Sequence, residues 1–201
     1  MNARTILAFS IVFTLLVCGC TVNNAIEHTN NSSEQTNNSL ESTNNVSKQT
    51  NSDDDLYLKS LDDYVSSFQP VTQQSTNQFS QEEMVMAELK IQSTTFSERV
   101  APLKVSSKFE FSKNSFLQSM KETELYSDFI LSHYAKISTA ENWDSLTAEE
   151  QQEIEDANIH QQNSGLFLIK AYDSNVCSAA GEKYANVTLM CNAFSRMTQS
   201  L

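Results

Sequence analysis

From residue 54 onward, apolar side chains recur at three- and four-residue intervals. Leu58, Leu61, Val65 and Phe68 trace one face of a helix, with Tyr57 near its edge and Pro70 closing it. Residues 71–79 are mostly polar and read as a loop. Ser80 and Glu83 have the spacing of a capping box, after which Val85, Leu89, Gln92, Phe96 and Val100 share a face up to Pro102. The clearest helix follows Asn114. Tyr126, Ile130, His133 and Ile137 form its stripe, Phe116, Met120, Phe129 and Tyr134 widen it, and no glycine or proline interrupts residues 114–137. Thr147 and Glu150 form a second capping box, so a helix starts near Ala148, with Glu149, Glu150, Glu153, Glu155 and Asp156 in its early turns. From Leu166 to Tyr172 that helix is apolar on most sides and is expected to be buried, with Gly165 as a candidate break. A last helix runs from about Glu182, with Tyr184, Val187, Cys191, Phe194 and Met197 on one face and Gly181 in the turn before it. The pattern predicts an all-α bundle of five or six helices over residues 54–201.

Residues 103–111 admit a second description. Val105, Ser107, Phe109 and Phe111 alternate as in a strand, and a lone strand needs a partner. Leu166–Tyr172 could supply one, so a minor two-stranded element stays open.

The chain before the bundle has a different character. Twenty of the 35 residues from 21 to 55 are Asn, Ser or Thr. They fall into a seven-residue repeat: VNNAIEH at 22–28, TNNSSEQ at 29–35, TNNSLES at 36–42, TNNVSKQ at 43–49 and a decayed TNSDDDL at 50–56. A heptad invites a coiled coil, but Ile26, Leu40 and Val46 do not share a seam. Asn, Ser and Thr also compete for the backbone in helix interiors. The segment therefore reads as a disordered spacer, spanning about 30–35 Å root-mean-square as a flexible chain. Asp53, Asp54 and Asp55 could gather a cation. A solvated charge run favoured by a helix N-terminus accounts for them more simply.

Residues 1–20 read MNARTILAFSIVFTLLVCGC. Arg4 gives a positive start and Ile6–Cys18 an apolar run of 13 residues, too short for a bilayer core of about 30 Å. This is the form of a signal peptide. Val17-Cys18-Gly19-Cys20 resembles the lipobox of bacterial lipoproteins, although Cys18 departs from the usual Ala or Ser. The resemblance implies cleavage between Gly19 and Cys20 and lipidation of the Cys20 sulfur. Ordinary signal cleavage is the alternative. The chain thus divides into a signal peptide at 1–19, a lipidated Cys and repeat tether at 20–53, and a helical domain at 54–201.

Four cysteines are present. With Cys18 removed and Cys20 lipidated, Cys177 and Cys191 remain, and export implies an oxidising compartment. One Cys177–Cys191 disulfide is expected, with two buried free thiols as the alternative.

Composition narrows the function. Three glycines and two prolines stand where about 14 and 10 would be average for this length. The shortage excludes glycine-rich phosphate loops and dinucleotide fingerprints, and disfavours turn-rich sandwiches and barrels. A net charge of −12 argues against nucleic acid as a partner. No metal-ligand spacing, nucleophile elbow or assignable carboxylate pair appears, so no catalytic residue, metal or cofactor is expected. His28 reads as solvated within the tether, His133 as a core or edge histidine bonded to a neighbour, and His160 as a surface residue near Glu153 and Asp156. The acidic face at 149–156 reads as solvated, with a docking surface for a basic partner as the lesser alternative.

Together these features describe a lipoprotein of the cell envelope, held on the bilayer by its N-terminal lipid and presenting a small acidic domain to an envelope protein. Secretion pilotins offer a likeness of architecture only. Thr21 rather than Asp after Cys20 resembles the outer-membrane sorting pattern of diderm hosts. The alternatives are a surface-exposed lipoprotein at a host or competitor interface, and an envelope enzyme with a pocket joining His133 to a carboxylate and a hydroxyl.

Overall fold

The computed structural model describes residues 52–67, 81–139 and 143–199. It is an all-α bundle of six helices: α1 (Ser52–Ser67), α2 (Gln81–Val100), α3 (Ser107–Thr139), α4 (Ala148–Ala171), α5 (Ser174–Ala180) and α6 (Ala185–Gln199), with a 3₁₀ turn at Trp143–Ser145. Gly19, Cys20, His28, the heptad repeats before Ser52, Phe68, Pro70 and Ser80 lie outside the described residues.

Local chemistry sets the boundaries. α2 stops at Val100, just before Ala101-Pro102, because proline has no N–H and its ring obstructs the preceding turn. Thr147 caps α4 through both arms of a capping box. The Thr147 hydroxyl accepts from the Glu150 N–H, and the Glu150 carboxylate accepts from the Thr147 N–H. Asp173 caps α5 by accepting from the N–H groups of Asn175 and Val176 at 2.9 and 3.0 Å. Gly181 ends α5 at φ 51°, a left-handed conformation that side chains with a Cβ resist.

α2, α3 and α4 form an antiparallel sheaf along the 33-residue α3, about 50 Å long. Two apolar cores lie along it. The first joins Tyr57, Leu61 and Tyr64 of α1 to Phe96 and Val100, Phe109, Phe116 and Met120, and to Tyr172, Val176, Val187 and Phe194. The second holds Met86, Tyr126, Ile130, Ile137, Leu146 and Ile154. Between them α3 and α4 meet through polar side chains. Ser119 donates to the Ser164 carbonyl at 2.9 Å, and the Thr123 and Ser164 hydroxyls are 2.6 Å apart.

Several expectations are corrected. There is no strand among the described residues, so the two-stranded element is absent. Phe109 is 1% exposed and Phe111 60% exposed. Two residues apart they would share a face of a strand, whereas on a helix they lie about 200° apart. α3 accordingly begins at Ser107, seven residues before Asn114. α4 passes through Gly165 without a break and leaves Leu166 exposed while burying Leu168 and Ala171, with Tyr172 buried just past its end. Tyr57, expected at the edge of its stripe, is wholly buried, with its hydroxyl 2.6 Å from that of Ser112.

Candidate functional site

The N-terminal end of α1, where the preceding chain arrives, is built from aspartates. Asp53 accepts from the Lys104 N–H at 2.7 Å. Asp54 accepts from the N–H and the hydroxyl of Ser106. Asp55 accepts from the Tyr184 hydroxyl at 2.6 Å and from the Lys183 ammonium. Two turns further on, Asp62 accepts from the N–H groups of Asn186 and Val187 at 2.9 and 3.2 Å. It thereby caps α6 from another helix. The run at 53–55 is therefore not a solvated charge run. It ties α1 to the α2–α3 turn and to the α5–α6 turn, because donors left unpaired at turns and helix starts need acceptors. The hydrogen bonds from Lys183 and Tyr184 hold the Asp55 carboxyl below the usual range, and the same contact raises the Lys183 ammonium.

Beside this junction lies a cleft of about 330 Å³ lined by Leu56, Lys59, Ser60, Asp63, Arg99 and Leu103. Its walls are apolar and its rim carries two cations. Lys59 reaches Asp63 at 2.9 Å and Arg99 reaches the same carboxylate at 3.0 Å.

His133 and His160 take different places from one another. His133 stacks on Phe129 with ring centroids 4.4 Å apart, and its Nδ1 lies 3.0 Å from the Phe129 carbonyl. A carbonyl only accepts, so Nδ1 carries the proton. Ser132 lies 3.0 Å from Nδ1 and Glu153 3.8 Å from Nε2, so a hydroxyl and a carboxylate do stand beside this ring. Ser132, however, gives its single proton to backbone carbonyls of Asp128 and Phe129, and Nδ1 is already a donor. In this arrangement the Ser132 hydroxyl is directed at backbone carbonyls rather than at a ring nitrogen.

His160 keeps a side chain 36% exposed but faces Glu122 rather than Glu153 and Asp156. Its Nδ1 donates to Glu122 of α3 at 2.6 Å, and Gln118 donates to the other Glu122 oxygen at 2.8 Å. Burial pushes the Glu122 carboxyl up, but the His160 and Gln118 hydrogen bonds and the His160 charge outweigh it and hold it below the ordinary carboxylate range. On the expected acidic face, Glu150 pairs with Lys136, and Asp156 accepts from Gln152 at 2.9 Å.

Cys177 of α5 and Cys191 of α6 are joined as a disulfide, their Cα atoms 5.7 Å apart. It staples two consecutive helices behind the junction. Among the described residues no group of three or more His, Cys, Asp or Glu is placed to hold a metal ion, and no helix is long and apolar enough to cross a membrane. Comparison of the chain with models of protein families, with curated proteins and with solved structures gives no match. Sequence reasoning missed the junction because a run of acids at a helix start carries no sign of which distant amides it will meet.

Proposed function

We propose that this protein is a lipid-anchored bacterial envelope protein whose helical domain binds or helps assemble another envelope protein. Gly19 is the last residue of the signal, Cys20 carries the lipid, and the heptad repeats act as a spacer. The observation that carries the proposal is the sequence Val17-Cys18-Gly19-Cys20 directly after a short apolar run. The structure adds a supporting feature. The chain from Cys20 reaches the domain at an end where α1 is stitched to two turns by Asp53, Asp54, Asp55 and Asp62, a firm attachment for a tethered body. A tether raises the effective concentration of the domain near membrane partners, which favours adaptor or assembly roles over diffusible ones.

The test is metabolic labelling with a fatty acid, followed by cross-linking in intact cells. The parent should incorporate label and the Cys20→Ala variant should not. A cross-linked envelope protein should be recovered with the parent. Absence of label on the parent would remove the anchor, and absence of any specific cross-link would remove the adaptor role. The near-identical repeat units also favour a second proposal, a lipoprotein displayed on the cell surface at a host or competitor interface. Digestion of the domain by protease added to intact cells supports surface display, and protection there opposes it.

A further inference from the structure

We infer that the end of the domain where α1 begins is a docking surface for anionic phospholipid, which sets the tethered protein upright with its acidic end away from the membrane. The inference rests on Cys20 being the lipid anchor.

Charge is divided unequally along the bundle. The half around the first core, residues 52–67, 92–120 and 164–199, has eight basic and nine acidic residues. The other half, residues 81–91, 121–139 and 143–163, has three basic and twelve acidic residues. In the first half most acids are held by defined donors. Asp53, Asp54, Asp62 and Asp173 face backbone N–H groups, Asp55 faces Lys183 and Tyr184, and Asp63 faces Lys59 and Arg99. Lys59, Arg99, Lys104 and Lys108 at that end are all exposed.

The cleft lies at this same end. Leu56, which is 49% exposed, and Leu103 give it apolar walls, and Lys59 and Arg99 bracket a single carboxylate, so its rim carries one positive charge more than it cancels. A phosphate accepts from an Arg and a Lys held this way, while the glycerol and upper acyl portions meet the two leucines. Leu56 is one turn from Ser52, where the chain from Cys20 arrives. Only residues 21–51 separate that chain end from the anchor. With the repeats acting as the spacer proposed above, that connection keeps the start of α1 near the lipid. Near an anionic leaflet, charges within a Debye length of about 8 Å feel the surface. The strongly acidic half is repelled there and the nearly neutral, cation-rimmed half is accepted.

The test uses the mature lipidated protein in nanodiscs of phosphatidylcholine alone, or of three parts phosphatidylcholine to one part phosphatidylglycerol. Lysines are labelled with an amine-reactive acetyl ester and quantified by peptide mass spectrometry. Lys59, Lys104 and Lys108 should label at least about threefold more slowly on the anionic discs, Lys121 should be unchanged, and high salt should erase the difference. Arg99→Glu should shrink the difference while leaving the helical circular dichroism intact. Equal labelling on the two lipids, or selective slowing at Lys121, would overturn the orientation while leaving the anchor standing. Flotation of the Cys20→Ala variant with phosphatidylcholine vesicles as complete as the parent's would remove the anchor, and the orientation with it.

Discussion

The carboxylate of Asp54, in the first turn of α1, holds the residue that introduces α3. One oxygen accepts from the Ser106 N–H at 2.7 Å and the other from its hydroxyl at 2.8 Å. Asp54 is only 5% exposed, so water cannot replace it readily. Hydrogen bonds to a charged acceptor contribute about 1.5–3 kcal/mol, and removing the acceptor leaves both donors without it. Asp54→Ala should therefore lower the unfolding free energy by about 2–3 kcal/mol, with Asp54→Asn intermediate, read from urea midpoints at neutral pH. A loss under about 0.5 kcal/mol, the usual cost at an exposed surface position, would mean the contact contributes little.

Asp62 makes a parallel prediction about α6. That helix is capped by the side chain of another helix, with the Asn186 and Val187 N–H groups both on Asp62. Loss of a cap costs about 0.5–2 kcal/mol. Asp62→Ala should also speed hydrogen exchange at the amides of residues 186 and 187 more than at those of α4. Uniform acceleration across the molecule would point to a global effect rather than to the cap.

Much of the helix map was legible from the residues, because apolar spacing and caps are local. Val100 before Pro102, Thr147 with Glu150, and Gly181 each fall where their chemistry demands. The failures share one cause. Seen from α1 alone Tyr57 sits at the edge of the stripe, yet its ring meets Phe109 and its hydroxyl meets Ser112, both on α3. Gly165 does not break α4, since a single glycine in a helix costs only about 1 kcal/mol and the packing against α3 outweighs it. His160 finds its partner Glu122 thirty-eight residues away on another helix, a contact no local window contains. The junction aspartates were hidden for the same reason. A sequence shows that a carboxylate is present but not which distant N–H it will meet.

Tyr57 separates two contributions at one buried position. Its ring packs in the first core, 6.1 Å from Phe109, and its hydroxyl pairs with Ser112, which also donates to the Ala171 carbonyl. Tyr57→Phe keeps the ring and leaves Ser112 its carbonyl partner, so the cost should be about 1 kcal/mol. Tyr57→Ala empties the site and should cost about 3–5 kcal/mol. Equal losses for the two variants would mean that the hydroxyl, not the ring, dominates.

The disulfide offers a test by redox state. Cys177 and Cys191 are 14 residues apart, and closing a loop of that size restricts the unfolded chain by about 3 kcal/mol. Reductant, or the Cys177→Ser/Cys191→Ser pair, should lower the thermal midpoint by several degrees. α6 should loosen first, since the bond ties its middle to α5. A midpoint unchanged by reductant, with thiol quantification confirming reduction, would show that the packing of Val187 and Phe194 suffices.

Acid should weaken the contact between α3 and α4. The Glu122 carboxyl is held below the ordinary range in the folded protein, where His160 and Gln118 both donate to it, and it returns to the ordinary carboxylate range when the chain unfolds. The folded state therefore binds a proton at Glu122 less readily than the unfolded state. That difference stabilises the fold fully above the unfolded value and is lost as pH falls through the folded value. Asp55, depressed by Lys183 and Tyr184, acts with the same sign in a neighbouring window. Glu122→Gln retains the shape and one acceptor but removes the titration. Urea midpoints measured from pH 7 to pH 3 should fall more steeply for the parent than for Glu122→Gln below about pH 4.5, and the two curves should converge in acid. Because Asp55 titrates in both proteins, the difference between the curves belongs to Glu122. Parallel curves across the whole range would show that the His160–Glu122 bond contributes nothing to stability that depends on its charge.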